Sequence, residues 1–434
     1  MAAELYKRTT ATERRRLEQL GSVELRAYQL NRLNQLLDVV HPTNGFYKDK
    51  FSSGSTPTTF PLSSLDDLAE LPLTTKDDLM RSSSPEGFAA NLTFPVDQYS
   101  RFHRTSGTKG RPMIVLDTND DWRWWMETWQ YVLDSAELNE SDRVVMAFSF
   151  GPFIGFWSAF DAAVERGAMV APTGAMSSLA RLELIKSLKA TIIFCTPSYA
   201  IHMAQIAEEN KIELRNSDVK KIVVAGEPGG SIPAIKDKIE NAWDAKVIDH
   251  SGASEVGPWG FADQNGNGIY VNEAQFYPEF VSIKTGKSAQ EGELSELILT
   301  TLGRVGSPVI RYQTGDLVTP TWKDDQPCNF ALLKGGVLGR TDDMMIIRGV
   351  NVFPTSIEQI LRGFPEIAEY RMTAFKEASM DQLKIEIEDA ANDPERVKTE
   401  LEIRLGFRVD VEAVPADSLP RFEAKGKRFV DKRS

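Results

Sequence analysis

Val144-Val145-Met146-Ala147-Phe148 runs straight into Ser149-Phe150-Gly151-Pro152, an apolar stretch of strand length that breaks into a turn. Four more runs repeat the theme downstream: Met169-Val170-Ala171, residues 191–195, Ile222-Val223-Val224 and Val247-Ile248. Amphipathic stretches of helical length separate them. Apolar strands alternating with crossover helices predict a mostly parallel sheet inside an α/β domain. Ligands of such sheets gather at the carboxyl ends of the strands. Those ends carry residues 149–152, Gly226-Glu227-Pro228 and Asp249-His250-Ser251-Gly252.

On the N-terminal side the first forty residues read as helix, with Leu17, Leu20, Leu25, Tyr28, Leu30, Leu33, Leu36 and Leu37 at helix-like spacing. Pro42 and Asn44-Gly45 are expected to end it. Residues 71–79 read as a short capped helix, with a Thr ahead of Asp77 and Asp78. Trp122, Trp124, Trp125 and Trp129 mark another helix, a core element or a dimer contact. On the C-terminal side, short strands and Gly-rich turns from about 268 to 335 suggest a β-rich subdomain. Beyond 343 a helix after Pro354, strands near 369–375 and 383–388, a helix near 394–405 and a last strand near 409–414 suggest a small α+β domain.

A chain of 434 residues exceeds one ordinary core, so at least two domains are expected. Its 41% hydrophobic and 26% charged residues are those of a soluble globular protein. No apolar run approaches the roughly 20 residues that span a bilayer. The start Met1-Ala2-Ala3-Glu4 has neither the basic nor the apolar part of a signal peptide, which gives a cytoplasmic expectation with no membrane partner. Cys195 and Cys328 are too few for a disulfide framework or a cysteine zinc site. A net charge of −12 argues against nucleic-acid binding. An anionic cofactor would need local cations.

Those cations cluster in Thr105-Ser106-Gly107-Thr108-Lys109-Gly110-Arg111-Pro112. Gly107 and Gly110 permit backbone angles that converge N–H groups, and hydroxyls, Lys109 and Arg111 add donors and charge, so the natural guest is a polyphosphate. The stretch is not a Walker A loop, and alone it reads equally well as a polar surface turn. Ser254-Glu255 follows the turn 250–253. A carboxylate near bound phosphates needs an intervening cation, and Mg²⁺ is commonly held by one or two carboxylates plus phosphate oxygens. Asp316 closes Tyr312-Gln313-Thr314-Gly315-Asp316, where Gly315 permits a tight turn and a fixed carboxylate can accept both hydroxyls of a ribose. Gly339-Arg340-Thr341-Asp342-Asp343 follows two dozen residues later. The tail Arg421-Phe422-Glu423-Ala424-Lys425-Gly426-Lys427-Arg428 is a solvated basic end or a source of a mobile lysine.

Taken in this order, the motifs resemble those of the adenylate-forming superfamily of acyl-CoA synthetases, and most closely its phenylacetate–CoA ligase branch. The resemblance spans nearly the whole chain. It implies a large N-terminal domain, residues 1–341, binding ATP and an acid, and a mobile lid domain, residues 342–434, turning about a hinge at Asp342. It implies ATP/AMP, Mg²⁺ and coenzyme A as cofactors and co-substrates.

By residue, the resemblance puts Thr105, Ser106, Gly107, Thr108, Lys109, Gly110 and Arg111 on phosphates, and Gly226, Glu227 and Pro228 against adenine. Ser254 joins the nucleotide site, Glu255 binds Mg²⁺, and Asp316 binds ribose with Arg340 nearby. Lys425, Glu255 and Arg340 take the catalytic roles, with Lys427 in reserve because Ala424 replaces the family's glycine. Phe148, Phe150, Gly151, Phe153, Phe156, His250 and Gly252 border the acyl pocket. Glycine beside aromatics makes a flat slot suited to an aryl or arylacetic acid.

The expected reaction is aromatic acid plus ATP to acyl-adenylate and pyrophosphate, then transfer to the CoA thiol with release of AMP. Loading of a carrier-protein phosphopantetheine and AMP transfer to another acceptor stay open, as does a homodimer. An ATP-grasp or P-loop enzyme lacks its motifs here, and a silent binding module would not need Glu255, Asp316, Arg340 and Lys425 together.

Overall fold

Arg143–Met146 lies between Met169–Pro172 and Ile192–Cys195, and Lys221–Val224 and Lys246–Ala253 continue the order, every pair parallel. The helices Ile154–Glu165, Ser178–Leu188, Pro197–Glu209 and Pro233–Trp243 follow the strands as crossovers. The helix starts obey local chemistry: Thr196 accepts from the Tyr199 N–H at 3.2 Å, and Pro197 and Pro233 sit in first turns that need no amide donor. The computed structural model describes residues 8–52, 59–81, 86–105, 112–148, 151–263, 266–322, 328–341, 345–347, 350–377, 380–405, 408–421 and 428–433.

The last parallel strand runs past its expected end. Beyond Asp249 it continues to Ala253 and changes partner, pairing antiparallel with Gly257–Ala262 through His250↔Phe261 and Ser251↔Gly260. Glycines make that approach: a Cβ on Gly252 would lie 3.0 Å from the Gly257 carbonyl oxygen. Gly268–Val271, Leu332–Lys334 and Pro320–Thr321 then extend the sheet to nine strands. The β-rich subdomain is therefore smaller than the stretch 268–335. It is a four-stranded antiparallel sheet of Phe276–Ser282, Ser295–Thr301, Tyr312–Val318 and Gly339–Arg340.

The N-terminal forty residues form two described helices, Ala11–Glu18 and Ser22–Thr43. Pro42 does not stop the second, because it falls in the last turn. Asn44 ends it, and its Oδ1 accepts from the Tyr47 N–H at 3.1 Å to start the helix Gly45–Ser52. The short helix Lys76–Met80 starts with a Thr75–Asp78 capping box. The tryptophan helix, Asn119–Ser135, belongs to the core. Its four indole N–H groups donate internally, to Asp161, Gln275, Asp117 and Ser158 at 2.8–3.1 Å.

Residues from Val352 onward pack around a core of their own, including Ile357, Leu361, Tyr370, Ile385, Val397 and Leu401. Its sheet pairs Ile367–Glu377 with Met380–Asp389 antiparallel. Asp410–Ala413 and Phe429–Asp431 flank them in parallel, the latter a three-residue strand too short for its pattern to announce.

Candidate active site

The phosphate-loop candidate leaves and re-enters a hairpin. Tyr99–Arg104 and Ile114–Thr118 pair antiparallel, and the pairing extends to the Thr105 N–H donating to the Met113 carbonyl at 2.9 Å. The Met113 N–H in turn donates to the Thr105 hydroxyl oxygen at 3.0 Å, so buried Thr105 fastens the base of the loop. Ser106, Gly107, Thr108, Lys109, Gly110 and Arg111 lie outside the described residues, as do Phe150, Asp342 and Lys425.

Beneath the hairpin sits an ion pair that sequence reasoning missed. Asp117 faces Arg304 at 2.7 Å, and both side chains are 0% exposed. Burial pushes the Asp117 carboxyl up, and Arg304 pulls it back. One Arg304 nitrogen, Nη1, donates to the carbonyls of Ser254 and Glu255 at 3.1 and 2.8 Å. Arg304 thus ties the hairpin strand to the turn that presents Glu255. A signal existed in Gly303-Arg304-Val305-Gly306: a Cβ on Gly303 would meet Trp124 at 2.3 Å, and one on Gly306 would meet Asp121 at 2.2 Å. Glycines flanking a lone arginine marked a closely approached backbone.

Glu255 is 9% exposed, and its Oε1 accepts the Tyr312 hydroxyl at 2.8 Å. Among the described residues no other hydrogen bond to this carboxylate is seen. No group of three or more His, Cys, Asp or Glu among the described residues is arranged to hold a metal. One buried carboxylate suits a cation that takes most of its ligands from phosphate and water.

Four residues beyond Tyr312 on the same strand, Asp316 lies opposite Arg340, and their side chains pair at 2.9 Å. Gly315 is not in a turn, as its place in the motif suggested. It sits within Tyr312–Val318 at φ +76°, where the pairing register shifts, and a Cβ there would come 2.8 Å from Arg340 Nη2. The Asp316 N–H donates to the Thr314 hydroxyl at 3.0 Å, fixing the bulge.

At the carboxyl end of Lys221–Val224, Gly226 takes φ +93° and turns the chain so that Glu227 Oε1 accepts from the Ser198 N–H at 2.8 Å. Pro228 follows on the same turn. His250 is buried against Trp129, ring centroids 4.4 Å apart. Its Nδ1 lies 2.6 Å from the Gly260 carbonyl, so that nitrogen carries the proton and Nε2 is an acceptor. Burial lowers its pKa to about 4. Phe148 stacks on Phe156 at 4.2 Å, with Phe153 edge-on at 6.3 Å. Gly151 accepts the Trp157 indole N–H at 2.9 Å, and the Arg104 N–H donates to the Pro152 carbonyl at 2.8 Å, which joins the aromatic cluster to the hairpin.

The geometry therefore joins Thr105, Glu255 and the Tyr312–Asp316–Arg340 group to one framework, and the Phe148 cluster to the base of the hairpin. Two cavities of about 350 and 440 Å³ open elsewhere, around Tyr131 and around Trp122, and include none of these residues.

A family model for AMP-binding enzymes matches residues 97–276, and one for the AMP-binding enzyme C-terminal domain matches residues 349–433. The phenylacetate-coenzyme A ligase of Aromatoleum evansii is 31% identical over 438 residues, 96% of each chain. That of Escherichia coli strain K12 is 30% identical over 437 residues, 95% of each chain. Among solved structures, 2-hydroxyisobutyryl-CoA ligase in its postadenylation state aligns with a TM-score of 0.90 at 27% identity, over 99% of this chain and 94% of that one. The same enzyme in its thioesterification state, bound to an acyl-AMP and CoA, aligns at 0.73 and 28% identity with the same coverage.

Proposed function

We infer that this chain, which belongs to the adenylate-forming acyl-CoA synthetase superfamily and to its phenylacetate–CoA ligase-like branch, takes an aromatic or arylacetic acid as its substrate. The general reaction is that of its relatives: ATP-dependent adenylation of a carboxylic acid, then thioester formation with CoA. A carboxylate oxygen attacks the α-phosphorus and pyrophosphate departs, and the CoA sulfur then displaces AMP from the acyl carbon. The near full-length likeness to phenylacetate-coenzyme A ligases carries the aromatic reading, and the Phe148–Phe156 stack supports it.

In this reading residues 105–111 hold the phosphates, and Gly226, Glu227 and Pro228 flank the adenine. Asp316 receives the ribose hydroxyls, with Arg340 holding its carboxylate in place. Glu255 and the Ser254 turn hold Mg²⁺, which when bound neutralises phosphate charge. Lys425, with Lys427 in reserve, adds positive charge at the α-phosphate. Charge neutralisation and positioning supply most of the rate in phosphoryl chemistry. Residues 1–341 and 342–434 act as two bodies hinged at Asp342. The better superposition on the postadenylation state than on the thioesterification state supports that division.

A second reading, a small branched hydroxy acid, is favoured by the alignment with 2-hydroxyisobutyryl-CoA ligase and by His250 Nε2, an acceptor suited to a hydroxyl. Pyrophosphate release across benzoates, phenylacetates, 2-hydroxyisobutyrate and fatty acids tests both. Aryl acids should turn over fastest, and preference for the hydroxy acid or a fatty acid would end the aromatic reading. Thioester yield with free CoA against a carrier protein decides the acceptor.

A further inference from the structure

A cavity of about 350 Å³ opens between the helix Ala11–Glu18, the end of the helix Asn119–Ser135, and Phe261, Asp263 and Tyr270. It contains none of the candidate nucleotide or acid residues. Its volume lies at the lower end of ligand pockets, which run from roughly 300 to 1,000 Å³. The Phe261 ring lies 5.8 Å from the Tyr131 ring and 5.7 Å from the Tyr270 ring, which gives the cavity an aromatic wall.

Tyr131 is 0% exposed, and its hydroxyl has no hydrogen-bond partner among the described residues. Leaving a buried hydroxyl unpaired is costly. Four carboxylates line the cavity, and three of them hold a cation. Asp134 holds Arg14 at 2.6 Å and Arg166 at 2.8 Å, Glu18 holds Arg15 at 2.8 Å, and Glu137 holds Lys221 at 3.0 Å. Asp263 is the exception. It is 3% exposed and accepts from the Asn267 N–H and side-chain amide at 3.2 and 3.1 Å, and among the described residues no arginine or lysine pairs with it. A buried carboxylate without a cation is costly too. The field here is negative: after burial itself, Asp263 pushes the Tyr270 hydroxyl up, and Glu18 pushes the Cys328 thiol up.

We propose that this cavity binds a small organic ammonium ion, with Asp263 as its counter-ion, the Tyr131 hydroxyl oxygen as a second acceptor and the Phe261 and Tyr270 rings against its apolar body. The ammonium group supplies the cation that Asp263 lacks, through a charge-assisted hydrogen bond. Aromatic faces add an attraction for organic cations. A bare metal ion would find too few ligands, since no group of three or more His, Cys, Asp or Glu among the described residues is arranged to hold one. An anion would face both Glu18 and Asp263. The site uses no residue of the adenylation reading, so it stands or falls apart from that reading.

Calorimetry on the full chain with cyclohexylammonium, and with cyclohexanol as its neutral match, tests this. Cyclohexylammonium should bind, and cyclohexanol should bind about tenfold more weakly or worse, for want of the charge-assisted bond. Asp263→Asn and Tyr131→Phe should each weaken cyclohexylammonium binding roughly tenfold, the usual loss for a hydrogen bond to a charged group. Without the probe, Tyr131→Phe should leave the urea midpoint unchanged or higher, because the free protein loses no hydrogen bond. A lower midpoint would mean that the hydroxyl is already paired, and would overturn the proposal. So would the absence of heat at roughly 10 mM probe, equal binding of cyclohexanol, or unchanged affinity in either variant. If Asp263→Asn does not fold, Tyr131→Phe and the cyclohexanol comparison carry the test.

Discussion

The Tyr312 hydroxyl donates to Glu255 Oε1 at 2.8 Å and so joins two motifs that lie 57 residues apart. Tyr312 is 2% exposed, and Glu255 and the neighbouring Asp316 both push its hydroxyl well above the usual tyrosine range, after burial itself. It therefore remains a donor across the working pH range and holds Glu255 Oε1 in place. Tyr312→Phe should fold, lower the rate of pyrophosphate release roughly tenfold or more, and raise the Mg²⁺ concentration needed. A hydrogen bond to a charged group is worth about 1.5–3 kcal/mol. Glu255→Gln should lose most of the rate. An unchanged rate at saturating Mg²⁺ would show that another carboxylate holds the metal.

Gly315→Ala tests the bulge. The backbone there is left-handed, which costs a non-glycine residue about 1–2 kcal/mol. The new methyl also presses on Arg340 Nη2. Arg340 should swing away from Asp316, and the KM for ATP should rise more than kcat falls. A change confined to thermal stability would separate Arg340 from nucleotide binding.

Arg304→Met should destabilise the chain by about 3–5 kcal/mol, because it leaves Asp117 buried and unpaired. It also frees the Ser254–Glu255 turn. Urea unfolding gives the first quantity, and the Mg²⁺ dependence of pyrophosphate release gives the second. Arg304→Met with Asp117→Leu should recover stability without recovering the Mg²⁺ dependence.

The buried parallel strands were legible because continuous apolar runs have few other homes, and the tryptophan helix because its spacing is helical. Contacts that bind distant segments were less so. Nothing in residues 111–118 announces that Asp117 meets Arg304, since both are polar types usually found on surfaces. The strand through Ser251 and Gly252 looked like a turn because small polar residues seldom extend a buried strand, and here close backbone approach requires them. Gly315 was readable as a residue needing positive φ, but a bulge and a turn make the same demand. The candidate residues Glu255, Asp316 and Arg340 were singled out by order and spacing, whereas the bond from Tyr312 to Glu255 follows only from the placing of its strand beside Thr74.

His250 should make native stability depend on pH. Burial lowers its pKa to about 4, against about 6.5 for an unfolded imidazole. Between those values the unfolded chain binds a proton that the native chain does not, so stability falls as pH drops from 6.5 toward 4. His250→Asn keeps a donor for the Gly260 carbonyl and removes the titration. The variant should gain on the parent by up to about 3 kcal/mol between pH 7 and pH 4. His103, also lowered to about 4, and Asp249, raised to about 6, are common to both chains and cancel in the comparison. Parallel unfolding curves at both pH values would mean that the imidazole is protonated in the native state.

Separation of the two half-reactions is the sharpest test of the proposed lysine and hinge. In the proposed reading Lys425 acts in adenylate formation, whereas thiol attack follows a turn of the C-terminal body about Asp342. Lys425→Ala should reduce pyrophosphate release by roughly 10²–10³-fold, the usual loss for one charge-stabilising donor, and leave thioester formation from acyl-adenylate intact. Asp342→Pro should do the reverse, since a fixed φ impedes rotation while leaving the first arrangement accessible. If Lys427→Ala alone gives the selective loss, the catalytic lysine is Lys427. If Lys425→Ala slows both half-reactions equally, one conformation serves both steps, and the hinge at Asp342 loses its purpose.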